Sequence, residues 1–137
     1  MINEGVHIIH GHSSHHIRGV EIVQRQNGTR SLITYGCGDF LADYVIDEDY
    51  RNNLGALFQV HLTISPSSSP QDGKLESIRL QSLRSYPTPC LNFQVNRLSL
   101  QDVDWSWIKG KFMQLSNISG KLWTVDHNSD ILLDIST

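Results

Sequence analysis

Cysteine is scarce in this chain, with two in 137 residues, and that scarcity excludes a disulfide framework. Cys37 and Cys90 form no C-x-x-C pair and read as reduced, buried thiols. Long apolar runs are lacking too, and no stretch approaches membrane-spanning length. The first residues show no basic segment followed by an apolar run, so no signal peptide is expected and a cytoplasmic location is favoured. Neither sign of charge dominates. The formal net charge is −3, which leaves no basic patch for nucleic acid and no acidic tail. Asn27-Gly28-Thr29 and Asn117-Ile118-Ser119 match glycosylation sequons, but such short matches arise by chance and nothing else points to secretion. The length suits one modest domain with its own core. No internal repeat and no second domain is visible.

Histidine, by contrast, is concentrated. Five of the seven histidines fall within residues 6–16, Val6-His7-Ile8-Ile9-His10-Gly11-His12-Ser13-Ser14-His15-His16. They follow a short β-branched run, Val6 to His10, that reads as a buried strand. A strand that stops at a glycine and opens into such a loop is a good place to hold a metal. The strand fixes the backbone, Gly11 allows a tight turn, and neutral imidazoles ligate zinc, manganese, iron or nickel. The alternative is a solvated polar loop.

Most of the remaining chain reads as β. Val20 to Gln24 and Ser31 to Tyr35 flank Gln26-Asn27-Gly28, a strong hairpin signal. Tyr35-Gly36-Cys37-Gly38-Asp39-Phe40 follows, and its paired glycines imply unusual dihedrals or close backbone approach. Asp43 to Asn53 reads as an irregular loop or one helical turn. Leu57 to Ile64 alternates, with Phe58, Val60, Leu62 and Ile64 on the inner face. After a Ser/Pro-rich, flexible turn at Ser65 to Gly73, Leu75 to Leu83 reads as the antiparallel partner strand, Ile78 and Leu80 inward. Leu91 to Val95 is a further short strand. Ser99 is expected to cap a helix, with Asp102 three residues on favouring its N-terminus. Trp105, Ile108, Phe112 and Leu115 form its apolar stripe, which favours core packing over a stacking platform. Gly120 is expected to end the helical region. Leu122 to Val125 and Ile131 to Ile135 close the chain as a hairpin. At the other end, Asn3-Glu4-Gly5 looks like a helix tail with a glycine stop, which suggests that further sequence precedes it.

Three blocks carry a resemblance: Gly5 to His15, then Gly19-Val20-Glu21, then Tyr35 to Phe40. Together they resemble the C-terminal part of the CapA family, named for poly-γ-glutamate capsule synthesis and similar to calcineurin-like metallophosphoesterases. The similarity continues through Tyr50-Arg51-Asn52-Asn53-Leu54-Gly55 and Phe93-Gln94-Val95-Asn96-Arg97, and so covers nearly the whole chain. It implies a β-rich α/β fold, the C-terminal part of a four-layered α/β/β/α sandwich, with residues 1–137 a partial domain lacking its N-terminal part. It also implies a metal centre holding manganese, iron or zinc, dinuclear only in the complete domain. The superfamily's last motif is Gly-His-x-His, spaced in CapA proteins as Gly-His-x-Pro-His. Gly11 matches the glycine, His12 the first ligand and His15 the second, while Ser14 stands where proline is common. His16 is an extra histidine able to compete as ligand, and His10 reads as a supporting residue. Arg18 either stabilises substrate charge or is a solvated surface arginine. Asp39 either orients a ligand or water or stabilises its turn.

The pattern departs from the superfamily in one respect. Its Asp-x-His, Gly-Asp-x-x-Asp and Gly-Asn-His motifs occur nowhere in this chain, and Gly38-Asp39-Phe40-Leu41-Ala42-Asp43 has one residue too many for the second. Two histidines do not hold two metals at catalytic geometry. Three readings follow. The chain contributes the last histidine motif to a metal-dependent hydrolase-like parent, with the upstream portion of the same domain as its partner. Or it is a non-catalytic remnant or accessory module. Or it is a simple binding module that holds one adventitious metal.

Overall fold

A computed structural model describes residues 1–41, 45–65, 77–116 and 118–136. Most of the turn expected at Ser65 to Gly73 lies outside these residues, as do Leu75, Asp43 and Asn117.

Among the described residues, two sheets and one α-helix surround a single core, a β-rich α/β fold. The first sheet has the order β1-β3-β2, from β1 (Ile8–His10), β2 (Val20–Gln24) and β3 (Arg30–Thr34). β2 and β3 pair antiparallel around the Asn27-Gly28 turn, where Gly28 takes a φ of 82°. β1 pairs parallel to β3, with Ile8 opposite Leu32 and His10 opposite Thr34. β1 is shorter than Val6 to His10 and only half-buried, because it is the edge strand of its sheet. Buried Arg25 ties it to the hairpin: its guanidinium donates to Ser31 Oγ at 2.7 Å and to the Val6 carbonyl.

The second sheet is antiparallel, in the order β4-β5-β8-β7, from β4 (Leu54–Ser65), β5 (Ser77–Leu91), β7 (Trp123–Val125) and β8 (Ile131–Asp134). β4 and β5 pair from Leu54–Pro89 to Ser65–Ser77, with a bulge at His61/Leu62. Both strands are longer than their alternation suggested. β5 runs through Pro87 and Pro89, whose carbonyls accept the amides of Leu98 and Asn96, so the ladder continues where proline has no N–H to give. Beyond the bulge the hairpin outruns the core. Leu62 and Ile64, expected inward, are 43% and 56% exposed, while Phe58 and Val60 are half-buried against the core. Ile78 is likewise half-buried, and Leu80 is buried.

The expected strand at Leu91 to Val95 is instead a tight hairpin. Cys90 and Leu91 pair with β6 (Gln94–Val95) around Asn92 and Phe93, whose φ angles of 50° and 60° make the two-residue turn. The helix α1 (Val103–Leu115) begins later than expected, with Asp102 at its N-cap. Ser99 does not cap it. The Asp102 carboxylate accepts from Ser99 N and Oγ at 2.7 and 2.9 Å, closing a separate turn before the helix. Trp105, Ile108 and Phe112 are buried as the spacing predicted, but Leu115 is 39% exposed. The helix stops at Ser116, whose hydroxyl caps the Phe112 carbonyl at 2.6 Å, and Gly120 opens a 3-10 turn rather than ending the helix. The C-terminal hairpin of β7 and β8 forms as expected.

The core draws Ile17, Val20 and Leu32 from the first sheet region, Leu54, Leu83 and Leu133 from the second, and Ile108 and Phe112 from the helix. Phe112 stands at its centre, stacked on Phe58 with centroids 5.5 Å apart and edge-on to Trp123 at 5.2 Å. At the N-terminus, Ile2–Glu4 is a short 3-10 turn ended by Gly5 in the left-handed conformation at φ 104°, the glycine stop read from the sequence.

Candidate metal site

The histidine loop is shaped by backbone contacts from the end of β3 and the Tyr35 to Asp39 turn that follows it. Gly11 N donates to the Thr34 carbonyl at 2.7 Å and Arg18 N to the Gly36 carbonyl at 2.9 Å. Ile17 bridges Cys37. The two segments lie so close that a Cβ on Gly11 would stand 2.6 Å from the Tyr35 carbonyl oxygen, and one on Gly36 only 2.2 Å from Ser14 Oγ. Between these anchors, Ser13 and His15 both adopt positive φ, 65° and 55°, a costly conformation for non-glycine residues that the anchored ends hold in place.

The result is a set of oriented imidazoles. His10 Nδ1 lies 2.7 Å from Thr34 Oγ1, and His12 Nδ1 lies 2.7 Å from Ser13 Oγ. His15 Nδ1 donates to the Asp39 carboxylate at 2.9 Å. His10, His12, His15 and Asp39 line one cavity of about 220 Å³, together with Cys37 and Phe40. A neighbouring cleft of about 420 Å³ shares Ser14 and His15 with it and adds His16, Asp47 and Tyr50. His16 turns to that side and packs on Tyr50, ring centroids 4.9 Å apart. Burial, then the nearby Arg18 charge, hold the His16 pKa below the ordinary histidine value. Arg18 is exposed and outside the lining of both cavities. Burial pushes the Cys37 thiol up, and Cys37 is half-buried rather than fully buried as expected.

The donor set suits a divalent transition metal. A histidine whose Nδ1–H is held by a carboxylate has its tautomer fixed and presents the lone pair of Nε2, the usual arrangement of a metal-ligating imidazole. His15 with Asp39 has this form, and the Ser13 hydroxyl sits at the same nitrogen of His12. Among the described residues, however, no three histidine, cysteine or carboxylate side chains converge as a ligand group. The structure thus brings His10, His12, His15 and Asp39 to one cavity, turns His16 aside and leaves Arg18 exposed outside both linings. The contacts that Thr34, Ser13 and Tyr50 make with the rings were not legible in the sequence, since hydroxyl and ring contacts of this kind carry no spacing rule.

Residues 1–44 match the family model described as Bacterial capsule synthesis protein PGA_cap. Two curated relatives from Mycobacterium tuberculosis, strains CDC 1551 / Oshkosh and ATCC 25618 / H37Rv, each carry the name Probable polyglutamine synthesis accessory protein. Each is 32% identical to this chain over 126 residues, which is 88% of this chain and 28% of the relative. The chain therefore spans less than a third of the length of the curated relatives it matches. No solved structure matches. The chain is related to the CapA family of bacterial capsule synthesis proteins, whose C-terminal part it resembles.

Proposed function

We propose that this chain supplies the last histidine motif of a metallophosphoesterase-like metal centre in a CapA-type protein associated with capsule and poly-γ-glutamate synthesis. His12 and His15 are the ligands, Asp39 orients His15, and His10 and Ser13 support the loop. The observation that carries this reading is the His15 Nδ1–Asp39 Oδ2 bond of 2.9 Å at a cavity that His12 also lines. Manganese, iron or zinc bound there would supply Lewis acidity toward an anionic oxygen and lower the pKa of a water. The chain's own part is narrower. The strained loop holds two imidazoles in place, and the Asp39 carboxylate keeps the proton of His15 on Nδ1. A complete dinuclear centre takes aspartate and asparagine ligands from an upstream portion of the same domain. β1 is an edge strand of its sheet among the described residues, and an edge strand's unpaired N–H and C=O groups suit continuation of the sheet by that portion.

A second reading, a non-catalytic accessory or binding module, is favoured for the chain by itself. The lack of any three converging ligands among the described residues supports it. One assay separates the two. A chromogenic phosphodiester is offered in excess Mn²⁺ to the chain alone, to the protein with its upstream region, and to the His12→Ala variant of the latter. The proposal expects turnover only in the longer protein and its loss in the variant. A longer protein that binds metal but never turns over would leave the binding role standing and end the enzymatic one.

A further inference from the structure

A further cavity, of about 250 Å³, lies at the opposite end of the first sheet from His10 and the histidine loop. β3 runs from Arg30 at this cavity to Thr34 beside His10. The cavity is walled by the tip of the β2–β3 hairpin, the start of β5 and the residues that follow β8, and it shares no residue with the histidine site.

We propose that this cavity is an oxyanion-binding site in which Arg30 and Arg79 take a carboxylate or phosphate group. Arg30 and Arg79 both line it, and among the described residues no acidic side chain does. Arg30 is held in place. Its Nε donates to Gln24 Oε1 at 3.3 Å and its Nη1 to the Ile135 carbonyl at 2.8 Å, which fixes the plane of the fork and, among the described residues, engages neither hydrogen of Nη2. A preorganised guanidinium fork matches the geometry of a carboxylate or phosphate. Asn27 adds a donor. Its Oδ1 already accepts from Thr29 N at 3.0 Å and Thr29 Oγ1 at 2.7 Å, so the polar group it has left is the amide NH₂. The apolar part of the wall is well packed: Leu80 and Ile135 are 5% and 1% exposed, and hydrogen bonds made against such a surface are worth more than in water.

The charge balance points the same way. Among the described residues, Arg30 acts on the Asp134 carboxylate, which is itself occupied by Ser136, accepting from its amide at 2.8 Å and its hydroxyl at 2.7 Å. Arg79 makes no ion pair among the described residues. Two cations facing one cavity repel each other, and an oxyanion between them relieves that repulsion while it collects donors from both.

The test is an amide NMR titration of the full chain with sodium phosphate and, separately, with sodium glutarate, at constant ionic strength kept with chloride. The proposal expects saturable shifts at Gly28, Thr29, Arg30 and Ser136, with a dissociation constant on the order of 1 mM. The amides of His10 and His12 should stay unmoved, which separates this site from the metal site. Arg79→Gln, on an exposed strand position, should weaken binding about tenfold with the spectrum otherwise intact, as expected for loss of a charge-assisted contact. Arg30→Gln should do at least as much, but it also removes the Ile135 bond, so Arg79→Gln decides. Tighter phosphate binding would identify a tetrahedral oxyanion as the ligand class, and tighter glutarate binding a carboxylate. Shifts that do not saturate, that chloride reproduces, or that Arg79→Gln leaves unchanged would overturn the proposal.

Discussion

His15 Nδ1 and Asp39 Oδ2 stand 2.9 Å apart although 24 positions separate them in the chain. The contact exists because backbone hydrogen bonds from Gly11 to Thr34, at the end of β3, and from Arg18 to Gly36 stitch the histidine loop to the turn that carries Asp39. If His15 is a ligand, Asp39 is the residue that sets its tautomer. Asp39→Asn should then lower affinity for Zn²⁺ or Mn²⁺ by about 10–100-fold, the usual cost of losing such a partner, while melting temperature changes little. Calorimetric metal titration of the variant beside His15→Ala and His12→Ala checks this. Equal affinity in Asp39→Asn and the parent chain would reduce Asp39 to a turn residue.

The parts of this fold that were legible in the sequence are those with short-range causes. The Asn27-Gly28 hairpin, the C-terminal hairpin and the buried helix face Trp105, Ile108 and Phe112 follow from turn chemistry and period. What was not legible depends on partners distant in sequence. Pro87 and Pro89 argue against a strand until a neighbouring segment is seen to donate to their carbonyls. The alternation of β4 puts Leu62 and Ile64 inward with Phe58, but the core ends before reaching them and both are exposed. At the site, the Gly-His-x-x-His spacing marks the loop, while the hydroxyl and carboxylate that orient each ring come from tertiary approach.

The central aromatic stack ranks two core substitutions. Phe112 is fully buried, so Phe112→Ala should cost about 3–5 kcal/mol. Phe58 is only half-buried against it, so Phe58→Ala should cost less, roughly 1–3 kcal/mol, since less apolar surface is lost and water can fill part of the gap. Urea titration of both variants gives the order. A larger loss for Phe58→Ala would show that the stack, not burial, dominates.

Stability should fall as pH drops from about 7.5 to 5. Burial and then the Arg25 charge hold the His7 pKa below its ordinary value, so the unfolded chain binds a proton more readily than the native one. As pH falls below the unfolded value of about 6.5, protonation therefore favours unfolding, and the loss is complete once the folded-state pKa is passed. His16, lowered by burial and Arg18, acts in the same direction. The lowered carboxyls of Asp126 and Asp134 act only at more acidic pH, near the carboxylate range. Urea midpoints at pH 7.5 and 5.0 should differ, and His7→Gln should shrink the difference. An unchanged slope in His7→Gln would remove His7 as a contributor.

Gly36→Ala should damage the histidine loop more than the fold. A Cβ there would lie 2.2 Å from Ser14 Oγ and 3.1 Å from Ser14 Cβ, so Ser14 must move. Ser14 stands between the positive-φ residues Ser13 and His15, and its hydroxyl donates to the His16 carbonyl at 2.9 Å. Displacing it releases the backbone that aims His12 and His15. The global cost should stay within about 1–3 kcal/mol, typical of a local overpacking that the loop can absorb. Metal affinity should fall by about tenfold or more, because ligand bonds of roughly 2 Å leave little slack. Ser14→Gly introduced into Gly36→Ala removes the clashing hydroxymethyl group and should recover most of the lost affinity if the clash is the cause. Calorimetric titration of the parent, the single variant and the double variant decides it. A single variant that binds metal as the parent does would show that Ser14 moves without carrying the imidazoles with it, and that the loop's aim is set by Gly11 and the Asp39 contact instead.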